Sequence, residues 1–443
     1  MARDKILTAI DVGSSKITTV ITTLDKDGNS SVIGVSTVDS HGLKKGQVVD
    51  IEATVAAVSA GVEAAERMAG VSVGESFVSV GGAHIQSQNS KGVVAVSEPE
   101  GEITPEDVRR VIEAAKAISL PSSREILHVL PRGFIVDGQE GIKDPIGMTG
   151  VRLEVETQII TGASTTIRNL AKCISEVGID IRSLVFSGLA SAQAVLSETE
   201  KELGVILVDI GAGTTDVCIY VDGALSYSAV LPVGARNVTN DLAVGLRFSL
   251  ESAEKIKLAL ASKPKYAVAP DESLPAKEGG KTEKNNDELD VGSLGLSEEV
   301  KKVSRKTLVE GIIKPRLTEI FTFVGMEVQK SGFAGLTPSG VVVTGGGAET
   351  VGILEACRSR LVMPCRVGSP ILGADSGLTG LIDELGGPQY SSAVGLIYFA
   401  KNNTQEKKDA DLRKSSGFAN IGQNLPLKNI LPRVISFVKG FLP

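Results

Sequence analysis

The run Val208-Asp209-Ile210-Gly211-Ala212-Gly213-Thr214-Thr215-Asp216 is an apolar strand that ends in a carboxylate and opens into a turn of glycines and hydroxyls. Gly211 and Gly213 let backbone N–H groups approach an anion, and Thr214 and Thr215 add hydroxyl donors. Asp209 beside them suits Mg2+, directly or through water. Alone, such a string is equally compatible with an ordinary tight hairpin turn. A second copy shifts the balance: Ile6 to Ile10 is an apolar strand ending at Asp11, followed by Gly13-Ser14-Ser15-Lys16 and the β-rich run Ile17 to Leu24. A third stretch, the strand Gly340 to Thr344 with Gly345-Gly346-Gly347, offers backbone that can lie flat against a ligand. No G-x-x-x-x-G-K-[ST] loop is present, and the glycines do not open a helix as a dinucleotide fingerprint requires.

These turns need sheets to hold them. After each aspartate the order repeats: strand, turn, strand, hairpin signal (Asp27-Gly28-Asn29, then Asp222-Gly223), strand. The repetition predicts a duplicated α/β domain whose two phosphate turns clamp one ligand between the halves. Asp50 to Met68 has helical spacing with Asp50 as cap. From His84 to Glu156 the pattern changes to short strands around one helix begun by Thr104-Pro105, which reads as an inserted α+β subdomain. His84 and His128 fall there without metal-ligand partners and are expected to be satisfied structural histidines. Arg236 to Leu246 and Leu250 to Leu260 look helical, the second with Glu254 and Lys257 one turn apart on one face. Lys263 to Glu299 is too polar to pack and is expected to be a mobile loop, followed by a helix Val300 to Phe323 interrupted near Lys314-Pro315.

Composition sets outer bounds. The 443 residues exceed one simple core and suggest two or more domains, and 42% hydrophobic with 22% charged residues suits a soluble globule. A net charge of −7 without a basic face argues against nucleic acid. Cys173, Cys218, Cys357 and Cys365 lack C-x-x-C spacing and sit in apolar runs, as buried thiols of a cytoplasmic protein would. With Met1 to Lys5 running directly into the first strand, no signal peptide is expected.

At the other end, Lys401 to Leu425 reads as a flexible linker. At roughly 100° per residue, Ile430, Leu431, Val434, Ile435, Phe437, Val438, Phe441 and Leu442 then share an arc of about 160°, with Arg433 and Lys439 on the other side. Such a helix would lie in the interface of an anionic membrane. The alternative, a helix docked on its own domain or a partner, is disfavoured by the linker.

With these pieces placed, the chain resembles the actin, sugar-kinase and heat-shock-chaperone ATPase superfamily, and within it the bacterial cell-division actin homologues of the FtsA family. The motifs are Ala9 to Lys16 as first phosphate loop, Asp209 to Asp216 as second, and Val341 to Glu349 as adenosine loop. Gly42 to Gly46, Gly188 to Ala192, Glu251 to Lys257, Thr307-Leu308 and Lys314-Pro315-Arg316 are also similar, covering about residues 6 to 400.

The resemblance implies a duplicated actin-like ATPase domain, with two halves around a nucleotide cleft and a small α+β subdomain in the first half. Its segments would be 1–83 and 159–190 with 365–400 packing back (first half), 84–158 (insertion), 191–240 and 300–364 (second half), and 241–299 (smaller subdomain, with the loop 263–299). A linker 401–426 and a membrane helix 427–443 would follow. It implies ATP held by Gly13, Ser14, Ser15, Lys16, Gly211, Gly213, Thr214 and Thr215 at the phosphates. Glu254 and Lys257 would line the ribose and adenine, and Gly345, Gly346 and Gly347 would pass under the nucleoside. Asp11 and Asp209 would hold Mg2+, mostly through water.

It further implies binding of the tail of the division tubulin FtsZ around Arg305, Lys302 and Lys306, self-association into filaments, and division partners on the inserted subdomain. The basic run suits an acidic peptide but also reads as a solvated charged face. Chaperone relatives carry a carboxylate where this chain has Ser187-Gly188, so no general base is identifiable. The expectation is a structural nucleotide switch with slow hydrolysis. A type IV pilus adaptor of the PilM kind is the alternative function, and a sugar or acid kinase the less favoured one.

Overall fold

The computed structural model describes residues 5–25, 28–97, 101–261, 287–298, 302–373 and 376–404. All that follows concerns the compact unit Met1–Phe399; in the other unit, Ala400–Pro443, residues 400–404 are helical. Residues 401–404, expected to open the linker, belong to that helix, and the rest of the linker and the amphipathic segment at 427–443 lie outside the described residues. No helix among the described residues is long and apolar enough to cross a membrane.

Two sheets carry the duplication. In the first, Lys5–Val12 pairs antiparallel with Lys16–Leu24, which pairs antiparallel with Ser30–Asp39. On its other side Lys5–Val12 runs parallel to Glu75–Val80, and that strand to Asp180–Phe186. In the second, Val205–Ile210 repeats these relations with Thr215–Val221, Ala224–Leu231, Val341–Thr344 and Cys365–Val367. The shared order, third-second-first-fourth-fifth, is the two-half architecture the motifs implied. The central strands are apolar on both faces because helices cover both: Leu7, Ile10, Ile206 and Val208 are buried.

Local chemistry sets the element ends. Asp50 caps helix Ile51–Ala69, its Oδ1 accepting from Ala53 N at 3.0 Å. Thr104 and Asp107 form a reciprocal capping box on helix Pro105–Lys116. Asp222 and Gly223 both take positive φ, the turn that closes the second hairpin pair.

The insertion is a four-stranded antiparallel sheet, Gln86–Ala95, Arg152–Ala163, Arg124–Val136 and Gln139–Ile142, with helix Pro105–Lys116 on it. Arg124–Val136 is one strand, where two were expected, because a register shift near Pro131 absorbs the missing N–H. Chain continuity joins the insertion to the first half, yet its bonds reach the second: Ser87 Oγ donates to Ser228 O (2.6 Å), Arg132 Nε to Ser226 Oγ (3.1 Å), and Lys143 pairs with Glu202 (2.7 Å). A cavity of about 420 Å3 lined by Arg132, Phe134, Lys143, Glu156, Val221 and Asp222 sits at this seam.

Four expectations need correction. Cys365–Val367 completes the second sheet, so the return to the first half comes only at Leu378–Gly380, beside Ser30–Val32. Within the expected loop 263–299, Glu288–Asp290 pairs with Lys302–Ser304, because alternate side chains such as Leu289 and Val303 pack on the second core. The helix expected from Val300 starts at Arg305, capped by Ser304, and passes through a π-helical turn at Val309–Ile313 into Lys314–Ser331. That wider turn absorbs Pro315 without a break. Finally, His128 is satisfied, its Nε2 accepting from Phe186 N at 3.0 Å, but both ring nitrogens of His84 are buried without a partner, and burial beside Arg124 lowers its pKa to about 4.

Candidate functional site

Both glycine turns have one geometry. Gly13 N donates to Lys16 O at 3.1 Å, and Gly211 N to Thr214 O at 2.9 Å. The tips approach each other through a third hairpin: Ser14 Oγ accepts from Gly46 N at 2.8 Å, and a Cβ on Gly213 would stand 3.0 Å from Lys45 Cα and 3.3 Å from Ser14 Oγ. The helix Ala235–Leu246 begins against the second turn, with Ala235 N and Arg236 N donating to Gly211 O and Ala212 O. One turn into it, Thr239 meets Lys257 Nζ (3.0 Å), which also pairs with Glu254 (2.8 Å). Glu254 and Lys257 are thus joined to the second turn through that helix.

Asp11 and Asp209 occupy corresponding positions, and each has a cross-strand neighbour seven residues on: Thr18 and Asp216. Asp216 makes a third carboxylate in the cleft, one the motif reading left without a role. Burial, then the charge of Asp209, raises its pKa to about 8. Burial raises Asp209 to about 6, with Asp11 adding to it and the Ser191 hydrogen bond opposing it.

Each carboxylate is tied by a serine. Ser392 Oγ donates to Asp11 at 2.9 Å, Ser191 Oγ donates to Asp209, and Ser187 Oγ to Asp216 at 2.5 Å. Ser187 and Ser191 lie on helix Ser187–Val195, which follows the last strand of the first half, and Ser392 on a helix starting at 391. Those helices touch: a Cβ on Gly395 would fall 1.8 Å from Ala190 O, so only glycine permits the approach.

The glycine loop closes the other side. Gly345 has φ +81°, and a Cβ there would meet Asp209 Oδ1 at 2.1 Å and Ile210 O at 2.6 Å. Its N–H donates to Pro388 O at 3.1 Å, and Thr344 Oγ1 lies 2.6 Å from Ser391 Oγ. Lys16 Nζ stands 3.9 Å from the centroid of the Tyr390 ring.

The expected residues divide accordingly. Asp11, Gly13, Ser14, Lys16, Asp209, Gly211, Gly213, Gly345 and their loop neighbours converge. Thr215 does not join them: it is buried, and its hydroxyl donates to Val233 O at 2.8 Å. Arg305 is half-buried with a guanidinium nitrogen 3.4 Å from Leu260 O, Lys302 pairs with Glu288 at 2.7 Å, and Lys306 is exposed. The residues expected to face a membrane, Ile430 to Leu442, lie outside the described residues.

An anion and Mg2+ fit this donor set. The turns are so tight that a Cβ on Gly13, Gly213 or Gly345 would strike Lys16 O, Lys45 Cα or Asp209 Oδ1, and Asp216 Oδ1 is buried without a partner. No group of three His, Cys, Asp or Glu side chains disposed to hold a metal occurs among the described residues. Mg2+ bound by one or two carboxylates, with water completing its shell, does not need one.

Comparison with known proteins gives the lineage. Residues 82–161 match the family described as SHS2 domain inserted in FTSA, and residues 206–395 match Cell division protein FtsA. Cell division protein FtsA of Pseudomonas aeruginosa is 37% identical over 436 residues, 98% of each chain. That of Bacillus subtilis is 38% identical over 91% of this chain and 86% of its own. Among solved structures, a PilM-PilN type IV pilus biogenesis complex aligns with TM-score 0.59 at 14% identity, covering 88% of this chain and 97% of that one. MreB 5 of Spiroplasma citri bound to AMPPNP aligns with TM-score 0.50 at 14% identity, covering 92% and 99%. These two share the actin fold. Two matched domains, and relatives above 30% identity along nearly the whole length, establish that the chain belongs to the FtsA family of bacterial cell-division proteins.

Proposed function

We propose that the chain is an ATP-binding, self-associating adaptor that ties FtsZ filaments to the cytoplasmic membrane at the division site. The observation that carries the nucleotide part is the convergence of two matching hairpin turns and a glycine loop on Asp11 and Asp209. Gly13, Ser14, Ser15, Lys16, Gly211, Gly213 and Thr214 would receive the phosphates, and Gly345 to Gly347 the nucleoside. Asp11 and Asp209 would hold Mg2+, which neutralises phosphate charge. The MreB 5 neighbour, solved with AMPPNP, supports the same use of the fold.

Hydrolysis, if it occurs, is slow. At the position where chaperone relatives place a carboxylate, this chain has Ser187, whose hydroxyl is donated to Asp216. Nucleotide therefore acts as a structural element that sets the angle between the halves. FtsZ would be received near Arg305 and Lys306, further division proteins on the inserted subdomain, and the amphipathic segment would supply membrane affinity.

Cosedimentation of the full chain with FtsZ on anionic vesicles tests this reading. Binding that needs both the FtsZ tail and the segment after Leu425 is expected. Vesicle binding retained after truncation at Leu425 sinks the membrane assignment, and FtsZ binding without its tail sinks the partner assignment.

A further inference from the structure

The turn Pro388–Tyr390 and the helix it opens touch the glycine loop, Asp11 and Lys16. Pro388 O receives Gly345 N–H, Ser391 meets Thr344, Ser392 donates to Asp11, and the Tyr390 ring lies under the Lys16 ammonium. Lys16 is the unusual member. It is half-buried, Asp11 and Glu349 both act on its charge, and yet among the described residues its ammonium closes no ion pair and no hydrogen bond. A desolvated, unpaired cation is unfavourable. The face of an aromatic ring is what offsets that cost, and contacts of this class shift equilibria by roughly two- to thirty-fold.

We infer that Tyr390 is the positioning residue for the phosphate-binding cation: its ring holds the Lys16 ammonium off the Asp11 and Glu349 carboxylates and keeps it available to the phosphate chain of a nucleoside triphosphate. Without the ring, the flexible lysine stem lets the ammonium collapse onto Asp11. That collapse uses up the cation and also charge-pairs a carboxylate meant for Mg2+. The turn carrying Tyr390 is bonded to the glycine loop, so the same segment fixes the cation and the nucleoside wall. This inference rests on the nucleotide reading above.

A double-mutant cycle on the full chain tests it, with ATP and adenosine as probes measured by competition against a fluorescent ATP analogue. Y390F should bind ATP within about twofold of the parent protein, since the ring remains. Y390L should weaken ATP by roughly five- to thirtyfold while changing adenosine less than about twofold. In the K16M background Y390L should add nothing. Equal losses for ATP and adenosine, or a full Y390L effect in K16M, would overturn the inference, because the ring would then be a wall acting independently of Lys16.

A second measurement needs no nucleotide. The Lys16 Cε resonance, assigned by its absence in K16M, should be shifted upfield by the ring current in the parent protein and in Y390F. Absence of that shift in the parent protein also overturns the inference. If the parent protein binds no ATP the nucleotide reading falls. If it binds ATP and Y390L binds equally well, only the role of Tyr390 falls.

Discussion

Replacing Gly345 by alanine tests whether the glycine loop sets the position of Asp209. The added Cβ would stand 2.1 Å from Asp209 Oδ1 and 2.6 Å from Ile210 O, at a φ of +81°. The left-handed backbone alone costs about 1–2 kcal/mol for a residue with a Cβ. Relieving contact with a buried carboxylate and a strand carbonyl adds about 1–3 kcal/mol. The total, about 2–5 kcal/mol, is accompanied by displacement of a carboxylate assigned to Mg2+. Gly346 provides the internal standard, since a Cβ there meets only Gln389 Cβ at 3.6 Å and its φ is not positive. Urea unfolding followed by far-UV circular dichroism, which suits a chain with no tryptophan, should place G345A well below the parent protein and G346A within about 0.5 kcal/mol of it. Mg2+-dependent ATP affinity should fall in G345A. Equal stability of the two variants, or a destabilised G345A that binds Mg-ATP as tightly as the parent, refutes the argument.

Other consequences follow from the charges and hydroxyls of the cleft. Asp216 is pushed up to about 8, so the folded chain keeps a proton that the unfolded chain releases near its ordinary value of 3.8. Stability contributed by that proton is therefore lost as pH rises from about 4 through about 8, and D216N should flatten the metal-free melting temperature over that window; an unchanged slope would contradict the assignment. S191A removes the hydroxyl that donates to buried Asp209 and should cost about 1–3 kcal/mol in chemical unfolding, whereas K143A, at an ion pair exposed on both sides, should cost less than about 1 kcal/mol. S87A removes a bond given to Ser228 O at 2.6 Å, and should speed amide exchange along Ala224–Leu231.

Much of this cleft was legible because its elements are short-range patterns. Apolar strands, a carboxylate at the strand end, glycines in the turn and an Asx cap are all written within a few residues of one another. The duplication of those patterns then implied two sheets of the same order. What stayed hidden depends on residues far apart in sequence. Ser392 and Asp11 are separated by 381 positions, and nothing near either marks the other. Thr215, whose hydroxyl is donated to Val233 O and not left free for a phosphate, is hard to place for a different reason. Its strand is buried on both faces, with Asp216, Cys218 and Tyr220 on one side and Thr215, Val217 and Ile219 on the other, so alternation cannot tell which face meets the ligand. Asp216 was hidden by the same ambiguity. The boundary at 365 failed because a three-residue parallel strand has too little pattern to choose its sheet.

The serine ties explain how a nucleotide could act structurally in a cleft without an evident general base. Asp209 and Asp216 belong to the second sheet, but their hydroxyl donors sit on helix Ser187–Val195, which grows out of the first. Residues 388–392 follow the strand that returns to the first sheet, yet they bond Thr344 and Gly345 of the second as well as Asp11 of the first. The bonds that orient the carboxylates are therefore also bonds between the halves, and Gly395 packed on Ala190 O locks the two crossing helices together. On the proposed reading, a ligand that changes the charge balance of Asp11, Asp209 and Asp216 would change what those serines must satisfy, and so would favour one angle between the halves over another. The strand that follows the second glycine turn pairs with Ala224–Leu231, where the inserted subdomain is bonded, so such a bias would have a bonded route to the insertion.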